Sequence, residues 1–224
     1  MAEQIKQVKI KVQSNPGEVT GAYLIPDKMQ AFILLAHGAG AGMHHPFMVT
    51  LAEELNKLNI GTLRYNLPYM EAGKKFPGSP KHSIEGINAA LKHVTNMVDR
   101  QTPVFLSGKS YGGRMSSHVA EQLDNGSVAG LIYYGFPLHA PGKPDIKRAS
   151  HLVNIDIPML FLQGSNDNLA DQALLNQVTE ELDQTTVKYY EHADHSFKRP
   201  KKITKESLIP QLAKDTSEWI DQVS

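Results

Sequence analysis

The sequence predicts an α/β fold built on a mostly parallel, twisted sheet of about seven to eight strands, with helices on both faces. Short apolar segments typical of strands alternate along the 224 residues with segments whose apolar residues recur every three to four positions. The segment "AFILLAHG" (31–38) is apolar almost throughout, as expected for a strand covered on both faces. Polar or glycine-rich residues follow several of these strands, where parallel sheets bind ligands.

Eight segments fit strands because each is short and rich in β-branched, aromatic or aliphatic residues. The first two, "QVKIKV" and "TGAYLI", form a pair joined by a turn at Asn15-Pro16-Gly17, since these residues favour chain reversal. In chain order the expected strands span 7–12, 20–25, 31–38, 60–66, 103–108, 128–135, 157–164 and 185–191.

Helices are expected between these strands wherever apolar residues recur at helical spacing. They cover 47–58, 84–98, the segment after Ser110, 170–182 and a closing segment, 208–220. The Pro/Gly-rich segment 66–82 is expected to be a long loop. Such alternation of strands and helices predicts a parallel sheet covered on both faces.

Length and composition limit the classes of function. The chain suits one α/β domain, 1–224, and its 23 basic and 23 acidic residues leave no net charge to attract nucleic acid. The basic run 198–202 is expected to be a solvated loop face. The absence of cysteine excludes disulfides, thiolate metal sites and a cysteine nucleophile. No signal peptide or membrane-spanning run is recognised, so a cytoplasmic protein that does not bind membranes is expected.

The stretch "SGKSYGG" (107–113) fits two different functional loops. A phosphate-binding P-loop requires a glycine five positions before Gly108, but Pro103 stands there. The residues between them form a strand-like run and not a glycine-rich loop. A Gly-x-Ser-x-Gly nucleophile turn fits better, because Gly108 and Gly112 flank Ser110 between a strand and a helix. The spacing therefore predicts that Ser110 projects from the carboxyl end of a strand.

A serine nucleophile needs a base, and the base needs a carboxylate that fixes its tautomer. Asp167 in "GSND" and His195 in "ADHSF" follow later strands in the expected chain order. Asp167 could instead cap a turn or helix. Asp171 and His192 are the rivals in sequence, and Asp194 is disfavoured because adjacent side chains in an extended segment point apart.

The segment "HGAGAGMHH" (37–45) is expected to complete an oxyanion hole. The backbone N–H groups of Ala39 and Tyr111 are the candidate donors, and His37 is expected to order the loop. A dinucleotide-binding Gly-x-Gly-x-x-Gly pattern is absent. His44 and His45 lack a third ligand at suitable spacing, so no metal and no cofactor are expected.

The motifs "HGAG", "GKSYGG", "GSND" and "ADHSF" together resemble the α/β-hydrolase superfamily, in its small, nearly capless branch related to dienelactone hydrolase. The run "GKSYGGRM", with "NLPYMEAGKK" upstream, is most similar to the subgroup that includes the testis-expressed hydrolase-like proteins. The resemblance implies an α/β-hydrolase fold with a minimal cap. It also implies Ser110 as nucleophile, His195 as general base and acid, and Asp167 as the residue that orients His195.

Two positions depart from the pattern of this branch. Dienelactone hydrolase has a cysteine where this chain has Ser110, so its substrate is not carried over. Lys109 is an unusual neighbour of the nucleophile, and it either is buried against a carboxylate or extends away from the pocket.

The segment 136–156 is too short for a separate cap domain, so a shallow pocket is expected. Its candidate lining residues are Tyr69, Met70, Phe136 and His139. The expected function is a serine hydrolase that cleaves carboxylic esters or related acyl bonds of small molecules through an acyl-enzyme. A catalytically weak or inactive binding or scaffold protein is the alternative, and acyl transfer or perhydrolysis with the same triad is a further one.

Overall fold

The computed structural model describes residues 6–124, 126–204 and 206–224. Within these residues, eight strands are formed: β1 Lys6–Lys11, β2 Glu18–Leu24, β3 Ala31–Ala36, β4 Ile60–Tyr65, β5 Val104–Lys109, β6 Gly130–Tyr134, β7 Met159–Gly164 and β8 Thr185–Tyr190. Each begins and ends within two residues of an expected segment.

The strands form one sheet in the order β1-β2-β4-β3-β5-β6-β7-β8. The pairs β1/β2 and β2/β4 are antiparallel, whereas every neighbouring pair from β4 to β8 is parallel. The predicted fold class, an α/β fold on a mostly parallel sheet, is thereby confirmed. The carboxyl ends of β3, β5, β6, β7 and β8 lie at one edge of the sheet, because parallel strands share a direction.

Helices cover both faces of the sheet. Their bounds are α1 Pro46–Lys57, α2 Pro68–Glu71, α3 Pro80–Thr95, α4 Tyr111–Ala120, α5 Gln172–Glu180 and α6 Ile209–Val223. In β3, Phe32 and Leu34 pack into the core layer that contains α3 and α4 residues, while Ile33 and Leu35 pack into the layer that contains α1 and α6 residues. Alternate side chains of a strand point to opposite faces, so β3 contributes to two cores.

The segment 66–82 was expected to be a long loop, and this expectation is wrong in part. It contains the short helix α2, and α3 begins at Pro80. The earlier start of α3 follows from its first residues: Ser79 caps the helix by accepting a hydrogen bond from the Lys81 N–H, and Pro80 stands at the first helical position. Both helices place residues of this segment beside the loop that follows β3.

Over the carboxyl edge of the sheet, the segment 136–156 forms only two 3-10 turns, Lys147–Ala149 and Leu152–Asn154, so the described chain carries no lid there. The expected minimal cap is confirmed. No helix within the described ranges is long and apolar enough to cross a membrane.

Candidate active site

Ser110 lies in a sharp turn between β5 and α4, with φ 52° and ψ −117°. This backbone conformation is uncommon for a residue with a side chain and is typical of strained functional turns. A Cβ at Gly112 would collide with the Ala36 carbonyl oxygen, and a Cβ at Gly108 would collide with the Gly113 nitrogen. The two glycines thus allow the turn to press against the end of β3.

The turn brings Ser110 to a histidine from the other end of the chain. Ser110 Oγ lies 2.8 Å from His195 Nε2, and His195 Nδ1 lies 2.6 Å from Asp167 Oδ2. An ionised carboxylate can only accept, so Nδ1 carries the proton and Nε2 of the neutral ring has a free lone pair. The Ser110 hydroxyl therefore donates to His195 Nε2.

Asp167 is held from three sides. Its side chain is fully buried, whereas that of His195 is 20% exposed. Besides His195, the carboxylate accepts hydrogen bonds from Gln163 Nε2 at 2.5 Å and from the Leu169 N–H at 2.8 Å. It both caps the turn after β7 and contacts the histidine, so the two alternatives weighed for it are compatible.

Gln163 is a site residue that the sequence analysis missed. It is fully buried in β7, and its amide bridges the Asp167 carboxylate and the Phe136 N–H. The signal was a polar side chain inside the otherwise apolar run "MLFLQG", since buried amides must be hydrogen-bonded.

The rival residues have other partners. Asp171 caps α5 by accepting from the Leu174 N–H at 3.1 Å. Asp194 Oδ1 accepts from the Ser196 and Lys198 N–H groups, which closes a turn beside His195. His192 is exposed and pairs with neighbouring Glu191.

The loop after β3 lies against the nucleophile turn. A Cβ placed on Gly38 would be 3.4 Å from the Lys109 carbonyl oxygen and 3.7 Å from Ser110 Cβ. The N–H groups of Ala39 and Tyr111 donate no hydrogen bond to any other residue in the described part of the chain. Two backbone donors next to Ser110 are therefore available to a ligand.

His37 orders this loop, as expected. Its Nδ1 contacts the Gly38 carbonyl oxygen at 2.8 Å, and its Nε2 accepts from the Leu67 N–H at 3.0 Å. Burial lowers the pKa of His37 to about 4, so the ring is neutral at pH 7 and Nδ1–H donates to Gly38.

Two of the four candidate lining residues lie next to these loops. Tyr69 is 6% exposed, and its ring centroid is 5.8 Å from that of His37 and 6.4 Å from that of Tyr111. Met70 is partly buried, with Cγ 3.5 Å from a Cβ placed on Gly42.

The other two offer a ligand little surface. Phe136 is fully buried and packs edge-on against Tyr133, with ring centroids 5.2 Å apart. His139 is 5% exposed; its Nε2 accepts from the Asp171 N–H, and its Nδ1 donates to the Ala140 carbonyl. In this structure both side chains support the segment after β6 from within.

Two surface concavities differ in their distance from the site. One of about 220 Å³ adjoins Tyr69 and Ser83, whose hydroxyl lies 3.0 Å from that of Tyr111. A larger one, about 470 Å³, is lined by Pro103 and Val128 at the opposite edge of the sheet. Ser110 lines neither of these two concavities, and it is partly buried.

A family model described as "Alpha/beta hydrolase domain" matches residues 29–221. This range contains the nucleophile turn, the Asp167 loop and the His195 loop. The chain belongs to the α/β-hydrolase family.

Solved structures agree with this fold. A dienelactone hydrolase from Anabaena variabilis matches with a TM-score of 0.79 at 21% identity, covering 100% of this chain and 99% of its own. A lidless α/β serine hydrolase from Xanthomonas campestris matches with a TM-score of 0.73 at 19% identity, covering 98% and 96%. Est1E from Butyrivibrio proteoclasticus with bound ferulic acid matches with a TM-score of 0.76 at 14% identity, covering 96% and 98%. The closer resemblance to testis-expressed hydrolase-like proteins stays a prediction.

Proposed function

We propose that this α/β hydrolase is a serine hydrolase that cleaves carboxylic esters or related acyl bonds of small molecules. Ser110 is the nucleophile, His195 the general base and acid, and Asp167 the residue that orients His195. The observation that carries the proposal is the chain of contacts: Ser110 Oγ lies within hydrogen-bonding distance of a histidine nitrogen, and the other nitrogen of that ring contacts a buried carboxylate.

The chemistry follows from this geometry. As Ser110 Oγ attacks the carbonyl carbon, its proton passes to His195 Nε2, and Asp167 stabilises the resulting imidazolium. The imidazolium then protonates the leaving alcohol, which leaves an acyl-enzyme on Ser110. Water attacks this ester with His195 again as base, and the serine is regenerated with release of the acid.

Two backbone donors support the tetrahedral intermediate. The Ala39 and Tyr111 N–H groups have no other partner in the described chain, and the second one stands at the first turn of α4, where the helix dipole favours negative charge. Fixed donors of this kind contribute about 10²–10³ to kcat in serine hydrolases.

The open site favours small or flexible acyl substrates. No lid covers Ser110 among the described residues, and the partial exposure of His195 leaves a path for the hydrolytic water. Tyr69 and Met70 are proposed to contact the substrate, because they lie beside the oxyanion loop. The ferulic acid bound to Est1E supports a small-molecule ligand.

The test is turnover of 4-nitrophenyl esters with acyl chains of increasing length. The proposal predicts a burst of nitrophenol equal to the enzyme concentration where deacylation is slow. Ser110→Ala is expected to lower kcat by about 10⁶, as in other serine hydrolases. Retention of more than a hundredth of wild-type activity by Ser110→Ala would refute the assignment.

The same assay separates the alternatives. Added alcohol or peroxide diverts the acyl group to a new ester or a peracid if transfer or perhydrolysis dominates over hydrolysis. A protein that shows neither burst nor turnover, and whose Ser110 fails to react with a fluorophosphonate, would be a binding protein that retains the fold.

A further inference from the structure

Lys109 directly precedes the nucleophile, and its side chain crosses to the loop that carries the base. Lys109 Nζ donates a hydrogen bond to the His195 carbonyl oxygen at 2.7 Å. It forms no ion pair with a carboxylate in the described part of the chain, and it does not extend into solvent. Of the two expectations for this residue, burial near carboxylates fits better, because Asp167 and Asp194 act on its charge, although its hydrogen bond goes to a backbone carbonyl.

The ammonium group lies beside a pair of aromatic rings. Its nitrogen is 5.9 Å from the ring centroid of Phe47 in α1 and 5.4 Å from that of Phe197, and the two rings stack on each other. A Cβ on Gly135 would lie 3.1 Å from Nζ, so the turn after β6 closes the remaining side. The rings attract a cation through their π faces, and the carbonyl oxygen accepts one of its protons.

His195 needs such support because no regular element holds it. It lies in the loop between β8 and α6, and Asp167 fixes only the imidazole ring. A contact at the carbonyl fixes the backbone of the same residue. Because Lys109 is covalently joined to Ser110, this contact connects the nucleophile turn to the histidine loop.

We propose that Lys109 is a positioning residue, which holds His195 at hydrogen-bonding distance from Ser110 through the His195 carbonyl. The inference rests on the proposed function, since it concerns the same serine and histidine. Displacing a catalytic group by about 1 Å can lower the reaction rate by up to 10²-fold. Loss of the contact between Lys109 and the His195 carbonyl is therefore expected to lower mainly kcat.

Charge strengthens the contact and makes it sensitive to pH. Burial lowers the pKa of Lys109 to about 8, and the negative charges of Asp167 and Asp194 partly oppose that shift. The charged groups that act on Nζ are these two carboxylates, while Phe47 of α1 and Gly135 after β6 also border the ammonium. As the pH rises through 8 the ammonium becomes a neutral amine, a weaker donor without attraction to the rings.

The experiment compares wild type, Lys109→Met and Lys109→Arg by the pH dependence of kcat and of Ser110 phosphonylation by a fluorophosphonate. Wild type is expected to lose activity above pH 8. Lys109→Met is expected to show a kcat about tenfold lower at pH 7 with little change in KM, and no such decline between pH 7.5 and 9.5. Lys109→Arg keeps its charge at every accessible pH, so the decline should move above pH 10.

Lys188→Met is the matched control, because Lys188 also extends from a strand but its ammonium pairs with the Asp215 carboxylate of α6. It should reproduce the wild-type profile. The inference would be overturned if Lys109→Met had the same kcat as wild type and lost activity at the same alkaline pH. If neither Lys109 variant folds by circular dichroism, wild type decides: a profile flat to pH 9.5 would overturn the inference, and a decline near pH 8 would support it.

The two proposals fail in different ways. If Ser110→Ala retains turnover and labelling, the serine-hydrolase assignment fails. If Ser110 chemistry is intact while Lys109→Met behaves as wild type, only the positioning role fails.

Discussion

The described residues contain two serine–histidine pairs of nearly equal length. Ser110 Oγ lies 2.8 Å from His195 Nε2, and Ser117 Oγ lies 2.7 Å from His151 Nε2. In the second pair the Ser117 hydroxyl donates to the Arg114 carbonyl at 2.7 Å, so His151 Nε2–H must donate to the serine. The proton of the second pair thus points the wrong way for a general base, and distance alone does not identify a nucleophile.

The backbone around the two serines differs as well. Ser110 lies in a turn between two glycines, whereas Ser117 lies within α4, fully buried, with Met115 and Val119 at the corresponding positions. A serine in a helix commonly donates to a backbone carbonyl of the preceding turn. A buried helical hydroxyl of this kind cannot reach a substrate carbonyl.

The two histidines also differ in electrostatics. His195 has a buried carboxylate at Nδ1, whereas His151 stacks on His118 with ring centroids 3.7 Å apart. Burial first, and then the nearby charges of His118 and Arg114, lower the pKa of His151 to about 4. A ring that resists protonation this strongly is a poor proton acceptor at pH 7. We therefore interpret the Ser117–His151 pair as a structural contact beneath the segment 136–156.

The largest expected effect tests the carboxylate that only the first pair has. Asp167→Asn removes the charge but keeps the shape, and it should lower kcat by about 10⁴, because the imidazole tautomer and the imidazolium lose their support. Asp171→Asn is the matched control, since Asn caps a helix about as well as Asp. Equal activities of the two variants in ester turnover would contradict the assignment of Asp167.

A second test concerns the glycines that only the first serine has. In Gly112→Ala the new methyl group would collide with the Ala36 carbonyl, so we expect a loss of about 3 kcal/mol in the free energy of unfolding and a displaced Ser110. Urea unfolding and kcat measure both effects. Gly78→Ala is the control for stability, because a Cβ there meets nothing within 4 Å. A fully stable Gly112→Ala would show that the turn is looser than described.

The sequence was sufficient for the strands and for the residues that the three loops bring together. Strands such as "AFILLAHG" are recognised because burial on both faces requires continuous apolar residues. Ser110, Asp167 and His195 are recognisable because each follows a strand, and the carboxyl ends of parallel strands share one edge of the sheet.

Side-chain direction in irregular segments could not be predicted. Phe136 follows Gly135, whose φ of 74° turns the chain so that the phenyl ring enters the core against Phe161. The inward ring of His139 depends on a hydrogen bond from the Asp171 N–H, 32 residues away in sequence. Similarly, the sequence shows that Lys109 is unusual, but its hydrogen-bond partner is a backbone carbonyl. Every residue has such a carbonyl, so the sequence does not indicate this partner.

Ser117→Ala should affect stability and not rate. The substitution leaves the buried His151 Nε2–H without an acceptor, which costs about 1–3 kcal/mol in the free energy of unfolding. The value of kcat should remain within about twofold of wild type at a temperature where both proteins are folded. A hundredfold loss of kcat would reverse the comparison between the two pairs.

The smallest expected effect is a pH dependence at His151. Its pKa is lowered from 6.5 to about 4 in the folded state, so the unfolded chain binds a proton that the folded chain resists, and stability falls as the pH drops from 6.5 towards 4. Because the ring retains some hydration, we expect about 1–2 kcal/mol. The measurement is the free energy of unfolding in urea, for wild type and for His151→Gln, at pH 7 and at pH 4. The difference between the two proteins should change by this amount between the two pH values, and the titration of His37 cancels because both proteins contain it. If the stability difference between the two proteins were the same at pH 7 and pH 4, the pKa of His151 would not be lowered by folding.

The most direct measurement maps a fluorophosphonate adduct by mass spectrometry. Trypsin cleaves after Arg114, which separates Ser110 from Ser117 into different peptides. The account predicts a single adduct on the peptide that ends at Arg114, and none in Asp167→Asn at the same exposure time. An adduct on the peptide that begins at Met115, or ester turnover with Ser110 unlabelled, would contradict it.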